Sequence, residues 1–189
     1  MQEVIKGIFK ESIALKETFL EKCLEQTLLL AKQTIETIKA GKKLLFFGNG
    51  GSAADAQHLA AEFVNRFQRE RRPLPAIALT TDTSILTSIA NDYDYSLIFV
   101  KQIEALGQSG DMAWGISTSG MSPNVYLGLK KAKQRGLKTV ALTGGDGGKI
   151  ANIVDISIIV PSFKTPRIQE IHITIGHIVC ELVERVLFI

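Results

Sequence analysis

Beyond Gly41 the chain alternates short runs that are apolar on both faces with stretches of helical periodicity, and this alternation constrains its fold more than any other feature. The apolar runs fall at 43–47, 76–80, 112–116, 139–142 and 156–160. The helical stretches lie near 53–68, 83–90, 95–107, 123–135, 147–152 and 167–187. Strands without a polar face need cover on both sides, so the pattern predicts a parallel sheet between two helical layers. Ahead of them, Ile5, Ile8, Phe9, Ile13, Phe19, Leu20, Leu24, Leu28 and Ile35 recur at spacings of three and four among Glu and Lys. That periodicity predicts one or two amphipathic helices ending near Gly41. The expectation is an α/β fold: a three-layer α/β/α sandwich with a parallel five-stranded sheet over residues 41–189, preceded by a helical segment at 1–40.

Composition narrows the function classes. A chain of 189 residues, 46% hydrophobic, buries a core without disulfide or metal staples. Its 22 basic and 19 acidic residues are interspersed and leave a net charge of +3, which argues against a nucleic-acid partner. No apolar run approaches the roughly 18 residues of a membrane span, so no membrane partner is expected. Cys23 and Cys180 lie far apart, and Met1 is followed by Gln2 and Glu3 rather than by an export signal. Both features point to a cytoplasmic protein.

Ligands of doubly wound sheets bind outside the carboxyl ends of the strands, where three loops are informative. The first, Gly48-Asn49-Gly50-Gly51-Ser52-Ala53, satisfies a dinucleotide-binding pattern. The ribose-binding carboxylate is out of place, however, Asp82 standing too far along the chain. The second, 117–122, carries the hydroxyls of Ser117, Thr118, Ser119 and Ser122 at the start of a helix marked by Pro123. Capping needs one hydroxyl, so the surplus points to a phosphate monoester at the helix N-terminus. The third, 143–149, fails the spacing of a nucleotide-binding P-loop, with Ile150 where a hydroxyl would hold magnesium, and reads as a structural turn.

There are three histidines. His58 and Glu62 share one helix face, about 6 Å apart along the axis, just beyond the first glycine-rich loop. On the last helix His172 and His177 are about 140° apart in projection and do not share a ligand. Gln169 and His177 are about 12 Å apart along that axis, which predicts that one of them acts in a neighbouring subunit's site. A plainer reading makes His177 a core residue bonded to Glu181, one turn later.

Taken together, Gly48 to Ser52, His58 with Glu62, Asn91-Asp92, Ser117 to Ser122 and Arg167 to His177 resemble the signatures of the sugar isomerase (SIS) domain family, in its bacterial phosphoheptose isomerase branch. The likeness runs from the N-terminal helices to the C-terminus and implies a flavodoxin-like fold. It implies interconversion of sedoheptulose 7-phosphate and glycero-manno-heptose 7-phosphate, an early step in supplying heptose for glycoconjugates such as lipopolysaccharide. By resemblance Ser117, Thr118, Ser119 and Ser122 hold the phosphate, while Asn49, Gly50, Gly51, Ser52, Asn91, Asp92 and Gln169 contact the substrate. His58, Glu62, Gln169 and His177 match zinc ligands, one zinc per subunit, and Glu62 and His177 match the proposed acid and base. The family also implies a homotetramer with sites at subunit interfaces. Pro166 stands where some members carry an acidic residue, and Trp114 is atypical.

Two other functions fit the same motifs. A noncatalytic SIS scaffold associated with the bacterial replication initiator is similar around 65–67, 91–92 and 167–169, but lacks the carboxylate and imidazole present here as Glu62 and His177. There the basic run Arg66 to Arg72 would be a protein-binding patch, although a solvated helix end is the commoner meaning of such a run. A sugar-phosphate sensor would keep Ser117 to Ser122 without needing Glu62.

Overall fold

A computed structural model describes residues 1–188; Ile189, the last residue of the expected 41–189 domain, lies outside the described residues. Five parallel strands, β1 (Leu44–Gly48), β2 (Ala76–Ala78), β3 (Met112–Ser117), β4 (Lys138–Gly144) and β5 (Ile156–Val160), pair in the order β2-β1-β3-β4-β5. Every residue of β1 and β3 is buried, as two-sided cover requires. Helices α1 (Gln2–Lys39), α2 (Gly51–Val64) and α6 (Thr165–Leu187) cover one face, and α3 (Thr83–Asp92), α4 (Ile98–Leu106) and α5 (Pro123–Gln134) the other. The expected three-layer sandwich is therefore observed, in the flavodoxin-like strand order.

Residues 2–39 form one continuous helix, about 57 Å long. Its C-terminal half enters the core through Leu30, Ala31, Ile35 and Ile38, while Val4, Ile5, Ile8, Phe9 and Ile13 stay exposed. Trp114 packs edge-on to Phe46 at 5.3 Å in the same core layer, and its Nε1 has no partner among the described residues.

Several boundaries differ from the sequence pattern for identifiable reasons. Residues 147–152 form turns, not a helix, because Gly145, Gly147 and Gly148 adopt φ of 65°, 85° and 55°. The stretch 95–107 divides into a 3-10 turn, Tyr95–Leu97, capped by Asp94, and then α4. Edge strand β2 ends at Ala78. Helix α2 stops at Val64 rather than 68 because Arg71 donates to the carbonyl oxygens of Glu62, Phe63 and Asn65, while Glu184 accepts the amides of Phe67, Gln68 and Arg69. Burial pushes the Glu184 carboxyl up, but those three amides and Arg71 outweigh it and hold the acid below its usual range. Of the basic run only Arg71 is drawn inward, while Arg66, Arg69 and Arg72 stay exposed in the turn beyond α2.

Candidate active site

Strands β1 and β3 are neighbours, and the helices that follow them leave to opposite faces of the sheet. The crevice this opens at the strand ends is the ligand position of the fold. A cavity of about 310 Å³ lies there, lined by Asn49, Gly50, Gly51, Ser52, Ile116, Ser117, Thr118, Ser122, Thr165 and Gln169. Eight residues singled out from the sequence therefore meet at one place, and Thr165 joins them without having been marked by any motif.

The hydroxyl at the start of α5 does not cap the helix. Ser122 is the N-cap residue of α5, yet its side chain makes no capping bond and its Oγ lies 2.9 Å from Ser117 Oγ. The positive end of the α5 dipole lies at this spot, which favours a phosphate dianion. Ser119 turns toward an adjoining recess with Asp146 and Phe163, where its Oγ accepts the Met121 amide at 3.2 Å. The third loop proves to be a buttress: Ile150 N donates to Gly120 O at 3.1 Å, and a Cβ on Gly120 would run into the Gly147 carbonyl.

The first loop is fixed from two sides. Gly51 admits the Gln169 carboxamide, which a Cβ at that position would displace. The Asn49 side chain is held by Asn124 and by Tyr95 Oη, two residues that carry no sequence motif. Asn91 and Asp92 sit exposed at the end of α3, hydrogen-bonded to each other at 2.9 Å, and do not line the cavity.

A second cluster lies farther along the same two helices. His58 and Glu62 of α2 and His177 of α6 place one donor atom each within 4.8 Å of one another. His58 Nε2 is 2.9 Å from Glu62 Oε1 and 3.3 Å from His177 Nε2. Close packing of α2 on α6 makes this possible, since Gly176 lies against Leu59 where a Cβ would clash. Desolvation pushes the His177 pKa down and nearby His58 adds to the shift, with Glu62 opposing both. One turn before His58, the Asp55 carboxyl has Oδ2 buried without a partner, and burial pushes its pKa up against the pull of His58.

Some expectations need correction at this cluster. Glu181 pairs with Arg185, so His177 is not a core histidine bonded to Glu181. His177 reaches His58 and Glu62 within its own chain. Gln169 remains at the phosphate cavity, about 12 Å along the α6 axis from His177. His172 stays apart, buried with Nε2 3.0 Å from Thr143 O.

Two imidazole nitrogens facing each other beside a carboxylate suit a bound cation, and the donor set is one that zinc accepts. A hydroxyl-lined cavity and a His/Glu/His cluster joined by two packed helices are the features of this site, and the SIS domain family model matches residues 9–144. The chain belongs to the SIS domain family. Within that family it belongs with the phosphoheptose isomerases. The phosphoheptose isomerase of Aquifex aeolicus (strain VF5) is 58% identical over 184 residues, 97% of this chain and 96% of that protein. The solved structure of phosphoheptose isomerase GmhA from Neisseria gonorrhoeae has a TM-score of 0.93 and 45% identity, covering 98% of this chain and 99% of that one. The structure of a phosphoheptose isomerase from Francisella tularensis has a TM-score of 0.94 and 37% identity, covering 97% and 98%.

Proposed function

We propose that this protein interconverts sedoheptulose 7-phosphate and D-glycero-D-manno-heptose 7-phosphate, as an aldose–ketose isomerase of the cytoplasm at the first step of heptose-precursor synthesis for lipopolysaccharide and related glycoconjugates. The observation that carries the reading is the convergence of His58, Glu62 and His177 on the same pair of helices whose N-terminal ends shape the phosphate cavity.

The residue types suit the chemistry. Ser117, Thr118 and Ser122 anchor the phosphate with Ser119 at the adjoining recess, while Asn49, Gly50, Gly51, Ser52 and Gln169 bind the sugar; Asn91 and Asp92, the other sugar contacts the resemblance implies, lie outside this cavity. Isomerisation through an enediol requires a base at a carbon-bound proton and an acid at the neighbouring oxygen. Glu62 takes the first role and His177 the second, its lowered pKa favouring the neutral imidazole that exchanges a proton with oxygen. Zinc held by His58, Glu62 and His177 would supply Lewis-acid polarisation of the carbonyl, and Gln169, the fourth ligand the resemblance implies, would have to come from a neighbouring subunit because this chain's own Gln169 stands at the other cavity.

A homotetramer with sites at subunit interfaces completes the reading. Helix α1 leaves Ile5, Ile8, Phe9 and Ile13 exposed, and an apolar groove of about 230 Å³ runs between α1 and α6 beside Leu20, Leu24 and Ile178. Such faces mark association surfaces, and a second copy of the segment 1–40 is the occupant the family implies. Glu62 and His177 converging on His58 favour catalysis over a scaffold or sensor role.

The test is a panel of phosphosugars assayed with and without chelator, using wild type and Glu62→Gln. Turnover of sedoheptulose 7-phosphate that disappears in the variant, while the phosphosugar still raises the melting temperature, is the expected result. A Glu62→Gln protein that isomerises at the wild-type rate removes the catalytic assignment.

A further inference from the structure

The turn between α2 and β2 is bound to α6 by a buried ion pair. The Arg71 and Glu184 side chains are 1% and 2% exposed, with Arg71 Nε 3.0 Å from Glu184 Oε1. Both carboxylate oxygens are filled, because Glu184 also accepts the amides of Phe67, Gln68 and Arg69 at 2.8, 2.8 and 2.9 Å. The guanidinium in turn donates to the carbonyl oxygens of Glu62 at 2.7 Å and Phe63 at 2.8 Å. A buried pair satisfied this fully fixes geometry, and removing one partner leaves an uncompensated charge.

Three parts of the His58/Glu62/His177 cluster hang on this pair. Glu184 lies two turns after His177 on the same face of α6. Glu62 has its own carbonyl held by Arg71. The amides that Glu184 accepts belong to the turn carrying Phe67, whose ring stacks on His177 with centroids 5.3 Å apart and planes at 30°. His177 also meets the His58 ring edge-on, 5.0 Å away at 64°. The imidazole is thus in contact with two rings.

We propose that Phe67 is a positioning residue for His177 and that the Arg71–Glu184 pair is the latch that seats it. The Phe67 ring shields one face of the imidazole from water and limits its rotation, which keeps Nε2 turned toward His58 and Glu62. The kinetic part rests on the isomerase reading above; the packing part stands without it.

The test uses Phe67→Leu, Phe67→Tyr and Glu184→Gln in the full chain, labelled at the histidine ring carbons. Three histidines give three signals, with His177 assigned by His177→Gln. In the wild type the ring contact is expected to displace the His177 ring-proton signal from its denatured-chain position. Phe67→Leu is expected to move it toward its position in the denatured chain, Phe67→Tyr to keep it, and Glu184→Gln to reproduce the Phe67→Leu value. Mispositioning a proton-transfer group predicts that Phe67→Leu lowers kcat by about tenfold or more while KM stays within about twofold, with the rate rescued in Phe67→Tyr.

An unmoved His177 signal in Glu184→Gln overturns the latch, and wild-type kcat in Phe67→Leu overturns the positioning role. Should Glu184→Gln not fold, Arg71→Lys, which keeps the charge but loses the planar fork, is read for the same two outcomes. A wild-type protein that turns over no phosphosugar overturns the isomerase reading, and the His177 signal then decides the latch on its own.

Discussion

The side chains of Asn49 and Asn124 exchange two hydrogen bonds, from Asn49 Nδ2 to Asn124 Oδ1 at 2.9 Å and from Asn124 Nδ2 to Asn49 Oδ1 at 2.8 Å. They tie the loop after β1 to the first turn of α5, across the point where the chain leaves the sheet toward opposite faces. The pair is close to saturated, because Tyr95 Oη donates to Asn49 Oδ1 at 3.2 Å and Val125 N to Asn124 Oδ1 at 2.9 Å. Its main effect is to set the separation of the two loops that line the cavity. Asn124→Ala strands the Asn49 amide, and the expected stability loss is about 1–3 kcal/mol, read by urea unfolding. KM for the phosphosugar should rise several-fold in the same variant. An unchanged unfolding midpoint together with an unchanged KM would remove this bracing role.

Ser122 offers a way to separate capping from ligand binding. An N-cap serine that bonds its helix costs about 1 kcal/mol when replaced by alanine. Here the Ser122 hydroxyl faces Ser117 rather than an α5 amide, so Ser122→Ala is expected to leave the melting temperature nearly unchanged. Losing a hydroxyl donor to a phosphate dianion is worth about 1.5–3 kcal/mol, so affinity for the phosphosugar should fall about tenfold or more. Calorimetric titration read beside thermal unfolding decides the matter, and a stability loss without an affinity loss would make Ser122 a plain cap.

The sequence carried the features that short-range physics controls. The strand at 112–116 was legible because two-sided burial leaves a run without charged or strongly polar residues, and the His58–Glu62 pair because helical spacing alone places it. What was hidden depends on partners far along the chain. Glu184 captures the amides of residues 67–69, and no local pattern announces that α2 must stop at Val64. His177 had an obvious neighbour in Glu181, but Arg185 takes that carboxylate and the imidazole turns to His58 across the helix packing. The apparent helix at 147–152 failed locally, because three glycines at positive φ outweigh the few helical residues after them. Asn124, Tyr95 and Phe67 gave no signal, since an asparagine in a first turn or an aromatic in a loop is ordinary until its partner is known.

His172 sets a pH limit on the fold that is separate from catalysis. It is fully buried, and because Nε2 lies 3.0 Å from the Thr143 carbonyl oxygen, that nitrogen carries the proton. Nδ1 is left as a buried acceptor without a partner among the described residues. Burial lowers the pKa from 6.5 to about 4, against the opposing pull of the Thr143 carbonyl. The folded state therefore favours the neutral ring, and the unfolded chain takes up the proton first as acid is added. Stability from this residue is complete above pH 6.5 and is lost as the pH falls toward 4, by about 3 kcal/mol at the lower end. His177, depressed in the same direction, adds to the fall. His172→Gln keeps a donor for Thr143 but does not titrate. It is expected to be somewhat less stable than wild type at pH 7.5, yet to lose most of the additional stability drop between pH 7.5 and 4.5. Urea unfolding of both proteins at the two pH values measures the difference, and equal losses in the two would show that His172 does not set the acid limit.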